Sequence, residues 1–165
     1  MLFVTVGTQF PFDRLVRAVD AACAAGLIDE PVVAQIGNSL YRPRHMNHVA
    51  EVAKNQYDDY FRQASAIIGH AGIGTISMAM RLNKPLLVMP RLAKYGEVVH
   101  DHQVDIAEKF GSAGHILVAQ DELKLPQKIL ELRTFVPVPR TAQPEMVVAR
   151  MMQFLQEQQS QKEAE

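Results

Sequence analysis

Residues 66–75 run Ala-Ile-Ile-Gly-His-Ala-Gly-Ile-Gly-Thr, a spacing suited to holding a phosphate. A short apolar strand leads into a glycine turn, and the turn opens a helix. Gly72 and Gly74 have no Cβ, so a ligand can approach the main chain closely there. The first N–H groups of the helix have no partner within it and carry the positive end of its dipole. His70 precedes the turn and has two readings, a satisfied polar group at a strand end or a donor to the same anion. The turn also has a plain reading, a tight strand-to-helix connection with no ligand. A second glycine turn, Gly7-Thr8-Gln9, follows the first apolar run of the chain. In an open parallel sheet both turns fall at the carboxyl edge, where such folds bind ligands.

As a dinucleotide fingerprint, residues 72–77 supply two of the three glycines and place Ser77 third. The next apolar run ends in Pro90-Arg91, not in the acidic residue that would hold an NAD ribose, which speaks against that ligand. Further on, Asp101-His102-Gln103 follows Glu97 and His100. Its carboxylate, imidazole and amide suit the hydroxyls of a sugar, while Asp101 also suits a helix N-cap. A metal at His100 and His102 fits less well, because ligands on one helix face stand three or four residues apart. Lys84, Arg91 and Lys94 read first as solvated charges. Arg91 and Lys94, in the loop before the polar cluster, also suit a diphosphate or an anionic sugar.

These residues need elements to position them. Residues 2–6 form a continuous apolar, β-branched run, the pattern of a strand buried on both faces. From Phe12 the residues Leu15, Val16, Val19, Ala22 and Cys23 recur at helical spacing and stop near Gly26. Further strands are predicted at 31–36, 66–68, 86–89 and 115–118, with a polar, weaker one over 46–52. Helices are predicted at 56–64, 73–82, 102–110 and 122–132. Strands alternating with helices predict parallel pairing and a Rossmann-like, three-layer α/β sandwich. Residues 1–155 read as one domain and 156–165 as a polar tail.

The 165 residues carry a net charge of −1 and no long basic run, which argues against nucleic acid as a partner. The lone Cys23 reads as a small buried thiol and has no partner for an intrachain disulfide, which fits a reducing compartment. The opening residues lack the basic flank of a signal peptide. No apolar run approaches the ~20 residues of a membrane span. The expectation is a cytoplasmic chain that reaches a membrane only through a partner.

The fuller string is His70-Ala71-Gly72 with Gly74-Thr75, then Lys84-Pro85-Leu86-Leu87-Val88-Met89-Pro90, then Asp101-His102-Gln103. It resembles the UDP-sugar-binding, C-terminal half of family 28 glycosyltransferases of the two-domain GT-B architecture. Phe3-Val4-Thr5-Val6-Gly7-Thr8-Gln9 is similar to the turn that begins that half. The resemblance covers residues 2 to 120. It is strongest to the small catalytic subunits of split enzymes, the dolichol-linked N-acetylglucosaminyltransferases and the bacterial exopolysaccharide glucuronosyl- or galactosyltransferases.

The resemblance implies that Gly7, Thr8, Gln9, His70, Gly72, Gly74 and Thr75 surround the diphosphate. It places Asp101, His102 and Gln103 on the donor sugar. It implies no cofactor and no metal, the UDP-sugar being a substrate. The reaction it implies is inverting transfer of a glucuronosyl, N-acetylglucosaminyl or galactosyl unit to a lipid-linked saccharide in polysaccharide biosynthesis. A membrane-anchored partner subunit would supply the acceptor site and the general base. Residues 37–43, Gly-Asn-Ser-Leu-Tyr-Arg-Pro, resemble a cleft-shaping stretch of the same subfamily. One position departs: the family's motifs carry a glutamate three residues after the Thr/Ser, holding the ribose hydroxyls, and this chain has Met78. The methionine-rich run 146–155 suits either an adaptable docking surface or packing on its own sheet. From a different class, a nucleotide-sugar-binding regulatory module without catalysis is the alternative.

Overall fold

In a computed structural model, which describes residues 1–139, six strands form one parallel sheet. They are β1 (Leu2–Thr5), β2 (Val32–Gln35), β3 (Asn47–Val49), β4 (Ala66–His70), β5 (Leu86–Met89) and β6 (Leu117–Val118), in the spatial order β3-β2-β1-β4-β5-β6. The helices are α1 (Asp13–Ala24), α2 (Lys54–Gln63), α3 (Ile73–Arg81), α4 (His102–Ser112) and α5 (Leu125–Leu132). The architecture is the Rossmann-like α/β sandwich predicted from the alternation. The register sets Thr5 beside Gly69 and His70 beside Met89, so the exits of β1, β4 and β5 adjoin at the sheet centre.

Period-two alternation divides the core between the two faces. Leu2 and Val4 join Leu15, Val16 and Val19 of α1 and Leu125, Ile129 and Leu132 of α5 on one face. Phe3 turns the other way, to Phe61 of α2, Ile76 and Ala79 of α3 and Ala107 of α4. Phe3 is fully buried, with the rings of Tyr57, Tyr60 and Phe61 5.4–6.1 Å away.

Helix α1 ends at Gly26, whose φ of 69° lets Gly26 N–H reach the Cys23 carbonyl and Leu27 N–H the Ala22 carbonyl. That pairing satisfies carbonyls the helix end would leave bare. Helix α3 ends the same way on Asn83, with Lys84 N–H donating to the Ala79 carbonyl. The turn carries Lys84 inward: its Nζ donates to the carbonyls of Arg62 and Ala64 at the end of α2. Lys84 is therefore a half-buried cap and not the solvated charge expected of it. Cys23 is likewise half-buried, not buried, and burial pushes its thiol pKa up.

Two strands are shorter than predicted. β3 spans three residues of the predicted 46–52, and β6 spans two of 115–118. Both lie at sheet edges, where only one neighbour holds them. The predicted run 146–155 and tail 156–165 lie outside the described residues. Phe3→Ala is expected to cost about 3–5 kcal/mol, the range for deleting a buried aromatic ring. The cost is measured as a lower urea midpoint at unchanged slope.

Candidate functional site

The loops leaving β1, β4 and β5 meet around one imidazole. Gly7 has φ +74°, a left-handed conformation that favours glycine. The Gln35 amide holds the turn by donating to the carbonyls of Gly7 and Ala50, both at 3.2 Å. Its Oε1 accepts from the Thr5 hydroxyl at 2.8 Å. The His70 ring lies between the two glycine turns. A Cβ on Gly7 would sit 2.8 Å from His70 Cε1, and a Cβ on Gly72 would overlap Nε2. Gly74 differs, since nothing lies within 4 Å of the position its Cβ would take. Gly72 therefore makes room for His70, and Gly74 leaves open the approach to the start of α3. Gly72 caps that helix with no side-chain hydrogen bond, so no side chain competes for its first N–H groups.

Behind the histidine lies a buried cation. Arg91, read as a solvated charge or as a contact for an anionic group, is not solvated: only 3% of it is exposed. Its Nη2 donates to the carbonyls of Val6 and Phe10, which ties the exit of β5 to the loop after β1. Its Nε is buried without a partner, as is Nδ1 of His70. The nearby carboxylate, Glu97, is already engaged by Arg14 at 2.8 and 2.9 Å and by Leu92 N–H at 3.0 Å. Burial pushes the Arg91 pKa down to about 10 although Glu97 opposes this. Burial, and then the Arg91 charge, push His70 down to about 4, against a weak opposing pull from the Thr5 main chain. At neutral pH the pair is a neutral imidazole in front of a buried guanidinium that feels the Glu97 charge but has no ion pair of its own among the described residues. Such charge is costly to bury alone, and an anion placed across it offsets that cost.

The remaining predicted residues surround this centre unequally. Thr8 and Gln9 are exposed on the loop after Gly7. Thr75 is 6% exposed and turns its hydroxyl towards Tyr57. Gln103 is buried, and its Oε1 accepts from Arg91 N–H at 3.2 Å. Asp101 bonds no helix N–H as a cap would; its Oδ1 accepts from Ala93 N–H at 2.6 Å. His102 is exposed, with Nδ1 2.9 Å from the His100 carbonyl. Lys94 is exposed beside the Tyr95 ring at 4.8 Å. Among the described residues no three His, Cys, Asp or Glu side chains gather as metal ligands would. Tyr41, in the stretch 37–43, donates to Asp20 at 2.6 Å and fixes that loop against α1.

A cavity of about 540 Å³ adjoins the centre through Gly7 and Thr8. Its walls include Gln35, Glu51, Val52, Lys54, Tyr57, Asp58 and Met78. Of these only Met78 was singled out by sequence. Gln35 ends β2, and the others come from the β3–α2 loop and the first turns of α2, where no glycine or motif spacing marks them.

The glycosyltransferase family 28 C-terminal domain matches residues 1–160. The chain belongs to that family. The "UDP-N-acetylglucosamine transferase subunit ALG13" of Candida glabrata is 43% identical over 56 residues, which are 34% of this chain and 26% of the relative. The protein of the same name in Yarrowia lipolytica is 25% identical over 132 residues, 73% of this chain and 65% of the relative. The chain thus spans less than two thirds of either relative. A solution structure of ALG13 shares the fold with a TM-score of 0.58 at 22% identity, covering 87% of this chain and 91% of that one.

Two outcomes follow. The His70 pKa in the fold, about 4, lies below the 6.5 of an unfolded histidine. The unfolded state therefore binds more protons between those values, and stability falls as pH drops from about 6.5 towards 4. The total is about 3 kcal/mol, and His70→Asn is expected to remove it from the urea-unfolding profile. Gly72→Ala is expected to displace the His70 ring in the histidine NMR spectrum, whereas Gly74→Ala leaves that ring in place.

Proposed function

We propose that this family-28 domain is the donor-binding, catalytic part of an inverting hexosyltransferase. It moves a hexosyl unit from a UDP-sugar to a lipid-linked saccharide, as in exopolysaccharide and other polysaccharide biosynthesis. The observation that carries the reading is the buried Arg91 charge acting on His70, whose ring adjoins Gly72 at the uncapped start of α3, with no ion pair of its own among the described residues. An anion of two charges or more fits that place, and a diphosphate is such an anion. N-acetylglucosaminyl is the favoured unit, supported by the names of the two relatives; glucuronosyl and galactosyl are the competing donors.

In the transfer, an acceptor hydroxyl attacks C1 of the sugar on the face opposite the diphosphate. The C1–O bond breaks, UDP leaves with the electron pair, and the hydroxyl proton passes to a base. Charge grows on the departing diphosphate, where the first N–H groups of α3 and the field of Arg91 are already aligned to stabilise it. Preset dipoles of this kind do the work of a divalent cation, so the transfer is assigned as metal-independent. Gln103, held against the Arg91 main chain, and the exposed Asp101 and His102 are assigned to the sugar hydroxyls. Lys94 is placed to meet an anionic sugar. A second, membrane-anchored subunit is assigned the acceptor site and the base. The match to a C-terminal domain and the word "subunit" in the relatives' names support this. No helix among the described residues is long and apolar enough to cross a membrane. Recruitment to the cytoplasmic face is therefore assigned to the partner.

The test is co-expression with a candidate acceptor subunit, followed by a screen of UDP-sugars on a lipid-linked acceptor. Transfer is expected with both chains, to persist in EDTA, and to fall at least a hundredfold when the partner is omitted. Efficient transfer by the purified chain alone would refute the division of labour. UDP binding without transfer under any pairing would favour the regulatory-module alternative. Gln103→Ala is expected to weaken UDP-sugar binding at least tenfold while UDP itself binds within threefold of the parent, by calorimetry.

A further inference from the structure

The cavity beside Gly7 and Thr8 is lined by apolar and charged groups together: Val52, Tyr57 and Met78, with Glu51, Lys54 and Asp58. We infer that Asp58 on α2 is the acceptor for the ribose hydroxyls of the nucleotide and makes the site selective for ribo- over 2′-deoxyribonucleotides. The inference rests on the diphosphate reading above. A nucleoside attached to a diphosphate at the start of α3 extends past Gly7 and Thr8 into this cavity of about 540 Å³. A thioether suits the face of a flat base. The vicinal diol of a ribose presents two O–H donors, which a carboxylate can accept and which a thioether sulfur accepts only weakly.

Two carboxylates line the cavity, and their settings differ. Glu51 is exposed on the loop before α2 and takes part in no salt bridge among the described residues. Asp58 is half-buried on the helix, and Lys54 Nζ, one turn earlier, holds its Oδ2 at 2.8 Å. That contact orients the group before any ligand arrives and leaves Oδ1 for a further donor. Lys54 foremost, and then Arg62 and Arg81, hold the Asp58 pKa below the usual carboxylate range, so it is an acceptor at neutral pH. Asp58 of α2 and Met78 of α3 line the same cavity. The cavity therefore has the base-facing wall on α3 and the diol-facing acceptor on α2.

The experiment is calorimetric titration of the full chain with UDP and with 2′-deoxy-UDP, for the parent, Asp58→Asn and Asp58→Ala. Circular dichroism and urea unfolding check each fold. The parent is expected to bind UDP at least tenfold more tightly than the deoxy analogue. Asp58→Ala is expected to lose at least tenfold for UDP and less than threefold for the analogue, with Asp58→Asn between. Equal affinities of the parent for both ligands would overturn the inference, as would a preference kept in a folded Asp58→Ala or lost instead in Glu51→Gln. If the parent binds neither ligand, the diphosphate reading itself falls, and the ribose assignment falls with it.

Discussion

A guanidinium buried without a carboxylate of its own is the constraint around which the carboxyl edge of this sheet is arranged. Arg91 spans from the end of β5 to the carbonyls of Val6 and Phe10, so the first glycine loop takes its shape from a residue more than 80 positions away. Burial, and then the same cation, keep the His70 imidazole neutral. His70 in turn needs glycine on both sides, at 7 and at 72. The buried charge thus helps to set a loop conformation and a protonation state, and the His70 ring beside it excludes two side chains. Arg14 engages Glu97, the carboxylate whose charge reaches Arg91, in an ion pair at 2.8 Å.

The sheet provides the rigidity this needs. β1 and β4 are fully buried but for His70 at the end of β4, and their neighbours β2 and β5 hold them from either side. The loops at their carboxyl ends are short, and α3 starts three residues after the end of β4. A turn so tightly tethered changes little when it binds, so its N–H groups are aimed in advance. Preorganisation of this kind separates a site that stabilises developing charge from one that merely attracts an anion.

Much of this was legible in the sequence for local reasons. Fully buried parallel strands need continuous apolar runs, and Leu2–Thr5 and Leu86–Met89 have them. The glycine turn before α3 announces itself because no other residue leaves a helix start so bare. The burial of Arg91 was not legible, because an arginine in a loop looks the same whether its partners are water or two carbonyls from the other end of the chain. Lys84 escaped for the same reason, its partners being carbonyls at the end of α2. The separate tasks of Gly72 and Gly74 depend on where the His70 ring points, which spacing alone does not fix. Asp58 was invisible because its place beside Met78 depends on the rotation of α2 against α3, a matter of tertiary packing. Family resemblance directed attention to position 78 but not to the helix across from it.

The central claim is that a nucleoside diphosphate binds across His70 at the start of α3. It is tested most directly by following backbone amide and histidine ring signals while the chain is titrated with UDP at pH 6. The account predicts the largest amide shifts at Gly7, Ile73, Gly74 and Thr75. It also predicts that the His70 pKa rises from its low value as the diphosphate balances Arg91. Amide shifts that leave Gly7, Ile73, Gly74 and Thr75 untouched, with the His70 ring unmoved at saturating UDP, would contradict it.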